Sequence, residues 1–382
     1  MKPLALLLFL LFITKANAQI TGRTTGPLPY LEYGTGDDRL GGAKMTYLDS
    51  GIKITVVDSL LTDYKVQLSK NHLAWLSKTN FVTDDSIKSQ PHYLSSSWRV
   101  WGDDRYDYVS ISLSEKLPYR SMQQIGPAKI VVDVFGVTSN TNWITQLKTI
   151  REIQNVWYEQ LEDDVLRVHI QLTHQQHWGY AIFYRNNSLQ IKIKQQPEKL
   201  KVKNLKIAID AGHGGANTGA TGLVTKIKEK DYTLKLAQQL QKILEKKGAT
   251  VFMTRTEDVD ISMVERTIML RKEEPDLLIS IHLNSAGNKE VKGVSTYYRH
   301  IGFRPLTQYI LDRILQLDLN NFGNIGAFNF SLSGPTEYPN CLVEVAFLSN
   351  AEDEQKILDE DFQKDVAKKI YEGIGDWLKG VR

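Results

Sequence analysis

The chain has 382 residues, 42% hydrophobic and 24% charged, a composition typical of folded globular domains. Its length predicts two or three domains rather than one. The formal net charge of +3 arises from 47 basic and 44 acidic residues without a block of like charges, so the sequence predicts no nucleic-acid binding.

The first eighteen residues have the pattern of a secretory signal peptide. Lys2 precedes an apolar run from Leu4 to Ile13, and Ala16-Asn17-Ala18 provides a small-x-small cleavage site. A membrane anchor is the alternative, but such a run is much shorter than the roughly 20 residues that span a bilayer. We therefore expect residues 1–18 to be a signal peptide, no membrane span, and a periplasmic or cell-envelope location.

The single cysteine, Cys341, excludes an intramolecular disulfide. Its neighbours Leu342 and Val343 are apolar, which favours a packing role, because a buried cysteine behaves as a small hydrophobe. A nucleophilic role is the weaker interpretation, since no histidine lies near it in the sequence.

The N-terminal half reads as two all-β modules. Residues 22–36 resemble an irregular lead-in, and a small module is predicted over residues 37–82, followed by a polar linker at 83–90. A β-sandwich is predicted over residues 92–196. The strands predicted from alternating or β-branched patterns are Ile52–Val57, Tyr64–Leu68, Leu73–Leu76, Tyr108–Leu113, Lys129–Phe135, Leu166–Leu172 and Leu189–Ile193.

Beyond Leu205 the pattern changes to alternating strands and helices. Lys206–Asp210 is an apolar run, and the segment from Asp231 to Lys247 has apolar residues at helical spacing. This alternation continues to the C-terminus. It predicts an α/β domain over residues 204–382, with an open, twisted, mostly parallel sheet and helices on both faces.

Four polar residues in this domain stand at or near predicted strand ends. His213 follows the first strand, His282 ends a later one, and Glu344 lies inside the apolar run Leu342–Phe347. Glu229 comes from a loop that could fold over the same edge. Because ligands of open α/β sheets bind beyond the carboxyl ends of the strands, these side chains could converge there.

Two histidines and one carboxylate are the ligand set of an open catalytic zinc site. Taken singly, each histidine would more often be a turn residue or a capping group, and Glu229 would ordinarily belong to a solvated charged face. An ordinary surface role does not explain Glu344. A carboxylate within an apolar strand costs several kcal/mol unless it is paired, neutralised or placed at a metal. On the residues alone, a metal site and these ordinary roles both stay open.

The segment from about Lys206 to Leu378 resembles the zinc-dependent N-acetylmuramoyl-L-alanine amidases of the cell-wall hydrolase type. Six blocks in order carry the resemblance. They are Ile209–Gly215 with Gly219, Lys228-Glu229-Lys230, Thr254-Arg255, Ser280–Asn284, Gly293 with Tyr297-Tyr298, and Leu342-Val343-Glu344 through Asn350.

The resemblance implies a role for each matching residue. His213, Glu229 and His282 match the family's zinc ligands, and Glu344 matches its catalytic glutamate. The implied reaction is hydrolysis of the amide that joins N-acetylmuramic acid to L-alanine in peptidoglycan, with Glu344 exchanging protons with water and leaving amine. Asn284 would line the cleft. Arg255 and Arg266 are interpreted as structural ion-pair residues.

The N-terminal modules carry weaker resemblances. The region from Trp98 to Lys194 is similar to AMIN-type localisation modules, and the module before it to bacterial SH3-like barrels. Both imply binding to peptidoglycan, with spacer domains as the alternative. Residues 318–340 are rich in Gly, Pro and Asn and predict a loop rather than a helix that plugs the cleft.

The sequence is compatible with three functions: an active amidase, a zinc peptidase or deacetylase acting on another wall bond, and a non-catalytic or activator-dependent wall-binding protein. The sequence names no activator. The presence of all three candidate ligands together with Glu344 speaks against a degenerate site.

Overall fold

The computed structural model describes residues 19–36, 41–87, 90 and 92–381. The predicted signal peptide, residues 1–18, lies outside the described residues. Across the described part of the chain, no helix has both the length and the apolar character needed to cross a membrane.

The first region is a seven-stranded antiparallel sheet of order β3-β2-β6-β5-β4-β1-β7. Residues 22–36, predicted as an irregular lead-in, contribute to β1 and β2, so this module begins before residue 37 and that prediction is wrong. Gly22 lies within β1 because β7 approaches it closely. A Cβ at this position would lie 2.2 Å from the Val82 carbonyl oxygen, so the glycine marks a close strand contact and not an irregular segment. The strands are β1 (Ile20–Thr24), β2 (Tyr30–Glu32), β3 (Lys44–Tyr47), β4 (Lys53–Leu60), β5 (Asp63–Ser69), β6 (His72–Ser77) and β7 (Phe81–Thr83).

The second region contains two sheets, of order β10-β11-β15-β14 and β12-β8-β9-β17-β16, with β13 paired to β8. Alternate residues of both sheets enter a common core, the arrangement of a sandwich. The strands are β8 (Tyr93–Gly102), β9 (Tyr106–Leu113), β10 (Tyr119–Gln124), β11 (Lys129–Phe135), β12 (Val137–Thr138), β13 (Ile144–Gln146), β14 (Ile153–Glu162), β15 (Val165–Leu172), β16 (Tyr180–Arg185) and β17 (Ser188–Lys194).

The two β regions share one hydrophobic core. Buried residues of the first sheet, such as Ile54 and Val66, belong to the same cluster as Val109 and Val168 of the sandwich. The two β regions therefore pack together and are not independent domains joined by a linker.

The C-terminal domain has a six-stranded sheet of order β19-β18-β20-β23-β21-β22. The strands β19, β18, β20 and β23 are parallel, and β21 runs antiparallel to β23. The elements are β18 (Lys206–Ala211), α1 (Glu229–Lys246), β19 (Thr250–Met253), α2 (Met263–Glu273), β20 (Leu277–Asn284), β21 (Val294–Tyr297), α3 (Arg304–Ile314), β22 (Asn321–Ile325), β23 (Asn340–Phe347), α4 (Ala351–Leu358) and α5 (Glu360–Gly380).

Helices cover both faces of this sheet, which confirms the predicted α/β class. On one face α1, α3 and α5 pack over residues such as Ile209, Ile281 and Val343. On the other face Leu270 of α2 packs with Ala208 and Leu278. Cys341 is 1% exposed in the first of these cores, as its predicted packing role requires.

The segment 318–340, predicted as a loop, forms the edge strand β22 and a single 3-10 turn at Ser331–Ser333. The strand escaped prediction because Asn321 and Gly323 interrupt its apolar pattern. No α-helix occurs among these residues, all of which the structure describes.

The β regions dock near the amino ends of the parallel strands. Tyr180 N donates to the Thr336 carbonyl at 2.8 Å, just before β23 begins, and Thr336 Oγ1 donates back to the Tyr180 carbonyl at 2.7 Å. Lys194 Nζ donates to the Pro275 carbonyl at 2.5 Å, just before β20. The contacts therefore lie at the edge opposite the carboxyl ends of these strands.

Candidate metal centre and active site

Three of the predicted site residues meet at the carboxyl edge of the sheet. β18 and β20 are parallel neighbours, with Ala211 beside Ile281, so His213 and His282 reach the same edge. Glu229 is the first residue of α1 and approaches from the loop that follows β18. The helix begins two residues earlier than Asp231, the predicted start, and this places Glu229 at its N-terminus.

The candidate ligand atoms are close together. Glu229 Oε1 lies 3.1 Å from His213 Nε2 and 3.0 Å from His282 Nδ1. One ligand atom from each residue can be chosen so that all three lie within 4.8 Å of one another. His213 Nδ1 lies 2.9 Å from the amide oxygen of Asn217, so it carries the ring proton and leaves Nε2 as a ligand atom.

Charge within this cluster shifts two pKa values. Burial raises the pKa of Glu229, but hydrogen bonds from His213 and His282 outweigh it and lower that pKa well below its usual range. Burial lowers the pKa of His282, but the hydrogen bond to Glu229 and nearby carboxylate charges raise it to about 9. The cluster thus holds a buried carboxylate against cationic imidazole, the electrostatic balance that a divalent cation would supply instead.

The donor set fits zinc. Two imidazoles and a carboxylate are its ligands in open catalytic sites, and they leave a position for water or substrate. Backbone amides complete the carboxylate's hydrogen bonds, since Leu283 N donates to Glu229 Oε1 at 3.0 Å and Ala220 N to Oε2 at 2.7 Å. The ligands are therefore oriented by a second layer of hydrogen bonds before a metal binds.

Two glycines leave the space that these ligands occupy. A Cβ on Gly212 would lie 2.3 Å from Cε1 of His282. A Cβ on Gly219 would lie 2.4 Å from Glu229 Oε2, and Gly219 also has a φ of +67°. Both positions therefore require glycine for packing, and Gly219 for its backbone conformation as well.

Replacing Gly212 by alanine is expected to weaken zinc binding by about 10–100-fold, the usual cost of disturbing the support of a ligand. The new methyl group must displace the His282 ring. Zinc affinity measured by competition with a chromophoric chelator checks this. Gly287→Ala is the matched control, because a Cβ there meets nothing within 4 Å. Unchanged affinity in Gly212→Ala would contradict the packing argument.

Two buried arginines hold the loop that carries His213. Arg266 Nη2 donates to the His213 carbonyl at 2.6 Å, and Nη1 pairs with Asp210 at 2.6 Å. Arg255 donates to the carbonyls of Ala211 and Gly212 at 2.9 and 3.0 Å. Both arginines were predicted to form structural ion pairs. Arg266 forms one with Asp210, whereas Arg255 supports the loop through hydrogen bonds to backbone carbonyls.

Asp210 connects several of these supporting residues, and its role was not predicted from the sequence. Its carboxylate also accepts hydrogen bonds from Thr254 Oγ1 and Ser280 Oγ, both at 2.7 Å. Burial raises its pKa, but the Arg266 charge and these hydrogen bonds outweigh burial and keep the pKa below its ordinary value. The position of Asp210 within the apolar strand β18 was the sequence feature that could have indicated this role.

Arg266→Met is expected to lower the free energy of unfolding by about 3–5 kcal/mol, because it leaves the Asp210 carboxylate buried without its countercharge. Chemical denaturation followed by fluorescence measures this. Arg313→Met removes a partly exposed ion pair with Asp376 and serves as control, with an expected loss below about 1 kcal/mol. Equal losses in both variants would refute the assigned role.

Glu344 and Asn284 flank the cluster. Glu344 lies on β23 beside His282 of β20 and is 7% exposed. Its charge contributes to the raised pKa of His282, so the two side chains share one electrostatic environment. Asn284 Nδ2 donates to the Tyr297 hydroxyl at 3.4 Å. Tyr297, which the sequence analysis noted only within a motif, is the residue that holds Asn284 at this edge.

Two protein-family models match parts of the chain. Residues 207–376 match the family model described as N-acetylmuramoyl-L-alanine amidase, and residues 97–202 match the AMIN domain model. A curated relative, the probable cell wall amidase LytH of Staphylococcus aureus, is 35% identical over 193 residues. That match covers 50% of this chain and 64% of LytH, so the chain spans less than two thirds of its relative's length.

Two solved structures are similar to part of this chain. The catalytic domain of CwlV, an N-acetylmuramoyl-L-alanine amidase of Bacillus (Paenibacillus) polymyxa var. colistinus, is 32% identical with a TM-score of 0.44, over 46% of this chain and 99% of that one. An N-acetylmuramoyl-L-alanine amidase of Clostridium difficile 630 has the same identity and TM-score, over 46% and 96%.

Proposed function

Since residues 207–376 match the N-acetylmuramoyl-L-alanine amidase family model, we propose that the chain hydrolyses the amide between N-acetylmuramic acid and L-alanine in peptidoglycan. The observation that carries the proposal is the convergence of His213, Glu229 and His282 beside Glu344 at the carboxyl edge of the sheet. This is where α/β folds place their reactive groups.

In the proposed site, His213, Glu229 and His282 would hold zinc. Zinc bound by three such ligands lowers the pKa of water to about 7 and polarises a carbonyl. Asn217 and the backbone amides of Ala220 and Leu283 keep the ligands oriented.

Glu344 acts as general acid and base. Its carboxylate takes a proton from the attacking water and later delivers that proton to the leaving amine of L-alanine. Its place among the buried residues of β23 limits its hydration. Asn284, fixed by Tyr297, lines the cleft for the substrate.

The N-terminal half serves as a wall-binding unit in this proposal. The AMIN match and the predicted signal peptide support an exported protein of the periplasm or cell envelope, acting on glycan strands and stem peptides. A linked binder raises the effective concentration of the active site on an insoluble polymer. The proposed function requires neither nucleic-acid binding nor a membrane span, and it specifies no activator protein.

Identification of the cleaved bond tests the function. Purified peptidoglycan is digested with the zinc-loaded full chain, and the products are analysed by mass spectrometry after amino-group labelling. Intact stem peptides with a new L-alanine amino terminus support the amidase. Internal peptide cuts would identify a peptidase, and released acetate a deacetylase. Either result would replace the proposed reaction.

A further inference from the structure

A cavity of about 250 Å³ lies where the β regions meet the C-terminal domain. The first sheet contributes Tyr47 and Asp49, the sandwich contributes residues of β9, β10, β16 and β17, and the C-terminal domain contributes Arg271 and Glu337. It is lined near the amino ends of β20 and β23, so it is separate from the candidate metal centre.

One end of this cavity offers hydrogen-bond donors. Arg271 forms an ion pair with Glu337 through Nε, at 2.6 Å, and 34% of its side chain stays accessible. A guanidinium has five N–H donors, and within the described part of the chain no hydrogen-bond acceptor meets the Nη groups of Arg271. A carboxylate is the ligand group that such a planar fork binds best.

The same cavity offers an anionic acceptor. Asp49 Oδ2 accepts a hydrogen bond from Tyr184 N at 2.6 Å, whereas Oδ1 has no hydrogen-bond donor among the residues described. Burial raises the pKa of Asp49, and the hydrogen bond from Tyr184 N and the charge of Arg271 offset only part of this rise, so Arg271 and Asp49 interact electrostatically. Arg271 and Asp49 therefore both line this cavity.

Tyrosines also line this cavity. The hydroxyl of Tyr119 is engaged with the Ile182 carbonyl at 2.8 Å, and that of Tyr180 with Ser121 Oγ at 2.9 Å. With their hydroxyls occupied, these residues present aromatic carbon to the cavity. At another end, Lys192 and Glu274 are 22% and 41% exposed, which puts that end at the molecular surface.

We propose that this cavity binds a small zwitterion with an apolar body, an amino acid or a dipeptide. Its carboxylate would bind the Nη groups of Arg271, its ammonium would bind Asp49 Oδ1, and its apolar part would pack on the tyrosine rings. Because Asp49 and Arg271 belong to different regions of the chain, the ligand joins the β regions to the C-terminal domain. The proposal does not depend on the amidase activity.

Calorimetric titration of the full chain tests it, with alanyl-alanine and leucine as probes. We expect saturable binding of at least one probe to the wild type. For whichever probe binds, N-acetylation should weaken binding by tenfold or more, and so should amidation of the carboxylate. Asp49→Asn keeps an oxygen for Tyr184 N but removes the charge, and should weaken binding at least tenfold.

Arg271→Lys provides a second variant, which keeps the charge but loses the fork and should weaken binding as well. Asp376→Asn, a surface aspartate on α5, is the control and should bind as the wild type does. No saturable binding of either probe to the folded wild type would overturn the proposal. Equal binding by the wild type, Asp49→Asn and Arg271→Lys would also overturn it, because the ligand would then lie elsewhere.

Discussion

Glu344→Gln is expected to lower kcat on peptidoglycan by about 10²–10⁴-fold while zinc stays bound, because the amide cannot exchange protons with water and leaving group. The substitution keeps the size of the side chain, and Glu344 is not among the three clustered ligand residues. Peptide release per bound zinc, measured at several substrate concentrations, separates kcat from zinc content.

Glu352→Gln is the control for this variant. Glu352 is 74% exposed and pairs with Lys292 on the surface, so its replacement should leave kcat unchanged. If Glu344→Gln keeps wild-type kcat at full zinc occupancy, Glu344 is not the proton-transferring group. If it loses zinc as well, its role is to hold the metal site and not to move a proton.

His282→Ala is expected to weaken zinc binding by more than the roughly 10–100-fold typical of outer residues, because it removes a ligand atom itself. Activity should fall in proportion to occupancy. Elemental analysis of dialysed protein, together with peptide release at saturating zinc, measures both effects. The exposed His92 gives a control, His92→Ala, that should keep wild-type zinc content. Normal zinc content in His282→Ala would remove this residue from the ligand set.

The C-terminal fold could be predicted from the sequence because its signals are local. The runs that form β18, β20 and β23 are apolar and continuous, and α1 and α5 have helical spacing. Residue types at the ends of these strands made His213 and His282 candidates for one site, because the carboxyl ends of parallel neighbours lie at one edge, and the family resemblance then implied their role as ligands. The geometry of Glu229 required the structure, since a charged run gives no sign of burial.

The N-terminal half was harder to predict because its decisive contacts are long-range. β1 is rich in Gly and Thr, and only its place between β4 and β7 explains why it is a strand. The common core of the two β regions joins residues far apart in sequence, which composition does not reveal. The helix α4 was not predicted because it is only eight residues long and half of its residues are charged, which leaves little apolar periodicity.

The metal dependence of amide cleavage tests the central claim most directly. The full chain is stripped with a chelator, assayed for release of stem peptides from peptidoglycan, and assayed again after zinc is restored. We expect peptide release with a new L-alanine amino terminus to disappear when zinc is removed and to return in proportion to zinc occupancy, up to one ion per chain. Undiminished release from metal-free protein would contradict it.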